Sequence, residues 1–187
     1  MSRLPFALCA AMLASGLALA HHHAVQNADR SSAGWPVGDF ALTDHRGQPY
    51  TQDRLRGRWT FVLLGDTRCA TPCTGPLEAV AGLRRRIAGT EALRTTQVVF
   101  VSLDPQGDTS SRLREYVAPF DESFIGATGP KDTLAGLADN LGMNGEAENL
   151  QGTLVLVGPD GAVRVQYLPP FDVKLLTADY LKTRARK

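Results

Sequence analysis

Apolar residues in this chain gather in short unbroken runs rather than alternating with polar ones. Trp59-Thr60-Phe61-Val62-Leu63-Leu64, Val98-Val99-Phe100-Val101-Ser102-Leu103 and Leu154-Val155-Leu156-Val157 are rich in β-branched and aromatic residues. Runs of that length and composition predict strands buried on both faces. After the first run, Leu77, Val80, Leu83 and Ile87 recur at helical spacing, with Gly89 as a stop. Helical spacing also predicts helices over 110–118, through Leu113, Tyr116 and Val117, over 133–141, and over 177–187. Phe40 and Leu42 ahead of the turn His45-Arg46-Gly47-Gln48 predict a short hairpin or strand-turn, and Phe124-Ile125-Gly126 a connector or short strand. Across Gly158-Pro159-Asp160-Gly161 the third run turns back on residues 162–167 as its hairpin partner. Strands alternating with helices, closed by a hairpin, predict an α/β sandwich whose central mixed β-sheet is flanked by helices.

The N-terminal part follows a different pattern. Arg3 precedes an almost wholly apolar or small stretch from Leu4 to Leu19, and Ala18-Leu19-Ala20 forms an A-x-A site before His21. This predicts a signal peptide over 1–20 and export, to a periplasm or a comparable compartment. Retained rather than cleaved, the same segment would anchor the protein beside a membrane. Residues 21–35 are polar, small and aperiodic and predict a flexible leader, leaving 36–187 as one domain. Twenty basic against nineteen acidic residues give a formal charge of +1, which lacks the basic excess of a nucleic-acid-binding surface.

Export changes the meaning of the three cysteines. Cys9 would leave with the signal, and the mature chain would keep Cys69 and Cys73 alone. A bridge closing so short a loop restrains little of the unfolded chain, so the pair reads as chemical rather than as a scaffold. It lies where a buried strand gives way to a helix, and the helix N-terminus favours the thiolate. Placed on one helical face, the two Cα atoms would lie about 6 Å apart, within disulfide reach. The same geometry serves a redox dithiol and a two-thiolate copper site for Cu(I). Zinc would need two further ligands. The histidines, His21, His22, His23 and His45, are far from the pair in sequence. Were cleavage to follow Ala20, the amine of His21, two backbone amides and the His23 imidazole would make a square-planar Cu(II) site. His45 reads as a surface turn residue, and Asp66, three residues before Cys69, as a tuner of that thiol's proton affinity or, more simply, as a capping or solvated side chain at the strand-to-helix turn. Asp104 and Asp108 read as shaping the loop after the second run.

With these residues the chain resembles the Sco/SenC family. The resemblance rests on Phe40-Ala41-Leu42-Thr43-Asp44 with Gly47, on Gly65-Asp66-Thr67-Arg68-Cys69 with Cys73, and on Val101-Ser102-Leu103-Asp104-Pro105 with Asp108-Thr109. Tyr116, Phe120, residues 124–129 and Gly158-Pro159-Asp160-Gly161 extend it over nearly the whole domain. The resemblance implies a thioredoxin-like fold and a part in assembling the copper centre of cytochrome c oxidase. It also implies partners among oxidase subunits or other copper and thiol proteins, and copper held by Cys69 and Cys73. The family completes its site with a histidine ahead of the last hairpin, where this chain has Asn149-Leu150-Gln151-Gly152-Thr153 and no histidine after His45. Ala70 and Thr74 stand where the family usually has prolines. Two thiolates still suit Cu(I), whereas Cu(II) prefers more nitrogen donors, so weight moves toward thiol–disulfide exchange. Met143 offers a thioether but reads as packing, and Gln151 offers a poor oxygen ligand. A peroxide-reducing relative would need a Thr-x-x-Cys and arginine arrangement that is not evident.

Overall fold

The computed structural model describes residues 27–28, 34–69, 71–143 and 152–186. The expected signal, Ala70, His21, His23 and the stretch Asn149-Leu150-Gln151 lie outside the described residues. The strands are β1 (Asn27–Ala28), β2 (Trp35–Pro36), β3 (Ala41–Asp44), β4 (Pro49–Thr51), β5 (Trp59–Gly65), β6 (Thr96–Ser102), β7 (Ile125–Thr128), β8 (Leu154–Val157) and β9 (Ala162–Tyr167). The helices are α1 (Thr71–Arg86), α2 (Glu91–Arg94), α3 (Ser110–Val117), α4 (Lys131–Asn140) and α5 (Val173–Ala185).

Among the described residues the strands form one mixed sheet in the order β1-β9-β8-β5-β6-β7-β3-β4, with β2 also on β9. β5 and β6 are parallel neighbours in register from Trp59 opposite Thr96 to Gly65 opposite Ser102. β7 continues the parallel set beside β6, while β8 lies antiparallel on the other side of β5. Every residue of β5 and β6 is buried, because both faces of the sheet are covered. Phe61, Leu63, Val98 and Phe100 pack with Leu77, Val80 and Leu83 of α1, Leu113 of α3, and Leu176 and Tyr180 of α5. Val62, Leu64, Val99 and Val101 pack on the opposite face with Leu134 and Leu137 of α4 and with Phe40, Leu42 and Tyr50. This two-sided burial is why the runs show no alternation.

Of the two forms expected around His45–Gln48 the hairpin is the one found, with β3 paired to β4, and the returning strand at 162–167 forms as the sequence predicts. The last helix starts earlier than expected, at Val173, because the Asp172 carboxylate accepts the backbone N–H groups of Lys174 and Leu175 at 2.7 and 3.0 Å. Within the stretch expected as a leader, Asn27 and Ala28 pair with Tyr167 and Gln166 on the edge of β9. Trp35 pairs with Val163, and its indole N–H donates to the Asn140 carbonyl at 2.8 Å. None of the helices among the described residues is long and apolar enough to cross a membrane.

Candidate functional site: a dithiol at a strand-to-helix turn

β5 ends at Gly65, α1 begins at Thr71, and the intervening turn carries Cys69. Cys69 thus precedes the helix rather than lying in its first turn, and Cys73 alone stands within it. The two are joined as a disulfide with Cα atoms 5.7 Å apart, close to the separation expected from spacing. The pair is not a surface bridge. Cys73 is 0% exposed and Cys69 9%, so an incoming reagent meets Cys69 first. Cys73 is packed so closely beneath the turn that a Cβ added to Gly65 would stand 2.6 Å from its sulfur.

The turn is held from several sides. The Asp66 carboxylate accepts the Arg68 N–H at 2.8 Å, and the Asp66 carbonyl accepts the Cys69 N–H at 3.0 Å. Asp66 therefore does the turn-capping expected of it. Asp108, which is buried, accepts the Thr67 N–H at 2.9 Å, the Thr67 hydroxyl at 2.6 Å and the Ser102 hydroxyl at 2.5 Å. Sequence reasoning confined Asp108 to its own loop, but its carboxylate also fastens the cysteine-bearing turn to the end of β6. The Ser-x-Asp-Pro…Asp-Thr segment was the available signal, since it links Ser102 and Asp108 in one motif. Asp104 binds its own loop through the Gly107 N–H at 3.0 Å and meets the Arg68 guanidinium at 2.9 Å. Arg68 is well exposed, so that ion pair contributes little stability. From α3, Tyr116 donates its hydroxyl hydrogen to the Cys69 carbonyl at 3.2 Å, and its ring lies 4.8 Å from that of Phe100. Burial first, and then the negative Asp66 and Asp108, push the Tyr116 phenol up to about 12.

Chemically, the arrangement offers a nearly covered Cys69, a fully buried Cys73 and a helix N-terminus that favours thiolate once the bond is reduced. Two soft sulfurs one turn apart suit Cu(I), which accepts low coordination. Among the described residues, His, Cys, Asp and Glu side chains form no cluster of three or more fit to hold a metal ion. Met143 is buried in the core against α4, as its packing reading requires.

His45 departs from expectation. It is buried rather than on the surface, because the β3–β4 turn folds against β7. There the Gly126 N–H donates to His45 Nδ1 at 2.9 Å, and the His45 N–H donates to the Gly126 carbonyl at 2.7 Å. Burial, and then the neighbouring Arg46, hold the imidazole below its ordinary value near 6.5. The unfolded chain thus takes up a proton at higher pH than the folded one. The stabilisation is present above pH 6.5 and is lost as the pH falls through the lower folded value. Urea unfolding is therefore expected to show stability declining below pH 6.5, and His45→Asn, which keeps an acceptor without a titrating ring, is expected to flatten that decline. Equal slopes in both proteins would contradict this assignment.

The family model described as SCO1/SenC matches residues 28–179. The mitochondrial SCO1 homolog of Mus musculus is 30% identical over 142 residues, covering 70% of this chain and 50% of the mouse protein. The mitochondrial SCO2 homolog of the same species is 33% identical over 103 residues, 55% of this chain and 40% of that protein. The chain thus spans half or less of the length of these mouse relatives. The crystal structure of Arabidopsis thaliana ScoI with copper bound superposes with a TM-score of 0.70 at 26% identity, covering 80% of this chain and 98% of that one. The sandwich is accordingly thioredoxin-like.

Proposed function

The chain belongs to the SCO1/SenC family, and on that premise we propose that it handles copper, as cargo, for assembly of the cytochrome c oxidase copper centre through Cys69 and Cys73. The observation that carries this reading is the pairing of a nearly covered Cys69 with a fully buried Cys73 beside a helix N-terminus. A dithiol so placed can be closed for protection and opened to present two sulfurs to Cu(I). Copper bound to the Arabidopsis relative supports the cargo. The partner is an oxidase subunit or another copper or thiol protein. Residues 1–20 act as the export signal, so the exported protein is expected to begin at His21 by intact mass. A species still carrying residues 1–20 would favour the anchor instead. If the chain does begin at His21, its amine and His23 form a second, Cu(II)-selective site that amine blocking removes.

One observation favours a second reading. No histidine follows His45, and a bare dithiol is sufficient for thiol–disulfide exchange. In that reaction the Cys69 thiolate attacks one sulfur of a partner disulfide and displaces a partner thiolate. Cys73, deprotonated, then attacks Cys69 in the mixed disulfide, releasing the second partner thiolate and restoring the intramolecular bond.

Anaerobic titration of the reduced protein with Cu(I) against a chromophoric chelator separates the two. One tightly held Cu(I) per chain, lost in the Cys69→Ser/Cys73→Ser variant, is the expected result. Retention of copper by the variant, or weak binding beside rapid reduction of a disulfide substrate, would overturn the cargo reading.

A further inference from the structure

The turn that carries Cys69 has three anchors, and two act on the cysteine's own backbone, Asp66 from within the turn and Tyr116 from α3. Asp66 holds the N–H side of the turn from within, and Asp108 holds Thr67 from the loop after β6. The carbonyl of Cys69 is engaged from α3, by the Tyr116 hydroxyl at 3.2 Å. The Tyr116 ring is itself fixed, between Phe100 at 4.8 Å and Phe120 at 6.2 Å between centroids. Phe100 in turn is fully buried and lies against Gly65, the residue over which Cys73 packs. One aromatic pair thus supports both sulfurs, reaching Cys73 through Gly65 and Cys69 through a hydrogen bond.

We propose that Tyr116 is a positioning residue: its hydroxyl tethers the Cys69 backbone so that, once the disulfide is reduced, the Cys69 sulfur stays beside buried Cys73. The proposal rests on the dithiol reading of the site. The backbone of Cys73 is fixed within α1, and its side chain is fully buried over Gly65. Cys69 stands ahead of the helix, in the turn between β5 and α1. With the S–S bond broken, the Tyr116 bond still ties the Cys69 backbone to α3, which keeps the two sulfurs close. Such a tether lowers the freedom that reduction would release, and so favours both closure of the disulfide and capture of one Cu(I) by two sulfurs.

The test is Tyr116→Phe, which keeps the ring on Phe100 and removes the hydroxyl alone. Wild type and variant are equilibrated with defined ratios of reduced to oxidised glutathione. In that exchange the protein dithiol passes two electrons and two protons to glutathione disulfide, giving the protein disulfide and two glutathione thiols. The oxidised fraction is read by alkylation and mass spectrometry. The net strength of an ordinary hydrogen bond sets the ceiling of the shift, an equilibrium constant smaller by up to about fivefold in the variant. That corresponds to a reduction potential about 21 mV less negative. Cu(I) affinity should fall by a similar factor. A thermal midpoint that drops while the glutathione equilibrium stays within twofold of wild type would make Tyr116 a structural residue and overturn the proposal. Failure of the wild type to bind Cu(I) would sink the cargo reading, and the glutathione equilibrium would still decide the role of Tyr116.

Discussion

Replacing Gly65 by alanine is expected to weaken the Cys69–Cys73 bond and to destabilise the protein by about 1–3 kcal/mol, the usual cost of overfilling a packed interior. The reason is space rather than backbone conformation. Gly65 closes a buried strand opposite Ser102, and a methyl group there would stand 2.6 Å from the Cys73 sulfur and 3.3 Å from the Phe100 ring. Neither neighbour has an easy exit. Cys73 is fully buried and covalently tied to Cys69, and Phe100 is fully buried beneath Tyr116. Reduction releases one constraint, because a free Cys73 thiol can rotate away from the methyl group. The penalty therefore falls more heavily on the oxidised state and on any state that holds both sulfurs together. Glutathione equilibration should show the disulfide favoured about tenfold less than in wild type, from a differential of roughly 1.4 kcal/mol within that overpacking range. Urea unfolding of the oxidised protein should show a larger loss than unfolding of the reduced protein. Equal losses in the two states would mean that the methyl group is accommodated without touching the sulfur.

Gly65 also marks the boundary of what could be read from sequence. The buried runs, the helices at 110–118 and 133–141 and the closing hairpin were legible because burial on two faces and helical periodicity leave a composition signature. The strand-to-helix location of the cysteines was legible for the same reason. What was not legible depended on contacts between residues distant in the chain. His45 looks like any turn histidine until β7 is known to lie against it. Asp108 looks like a loop residue until its carboxylate is found against Thr67, and Tyr116 looks like part of an amphipathic helix until its hydroxyl meets Cys69. Spacing likewise placed both cysteines on a helical face, whereas Cys69 stands in the turn before it. Periodicity reports which side of an element faces the core, and it carries no information about which polar group crosses to another element.

Asp108→Ala is expected to be among the most disruptive single changes outside the cysteines. The carboxylate accepts from three donors, the Thr67 N–H, the Thr67 hydroxyl and the Ser102 hydroxyl, in a buried position. Alanine would leave all three without their acceptor. Hydroxyls can rotate toward other oxygens, but the Thr67 N–H is fixed in direction by the backbone. An unsatisfied buried donor costs about 1–3 kcal/mol, so a loss of about 3 kcal/mol in urea unfolding is the expected result. Asp108→Asn retains one carbonyl oxygen and an amide that the hydroxyls can accept, and it should lose roughly half as much. An alanine variant no less stable than the asparagine one would show that the turn re-forms without this anchor. The consequence for function follows from where the anchor ends. Asp108 holds Thr67, two residues before Cys69, while Tyr116 holds Cys69 itself. If both restrain one turn, their removals cannot be independent in the glutathione equilibrium. Asp108→Asn and Tyr116→Phe combined should then depart from the sum of the single changes, as expected for residues acting on a shared element. Strict additivity would assign Asp108 to the stability of the sheet end and leave the placement of Cys69 to Tyr116.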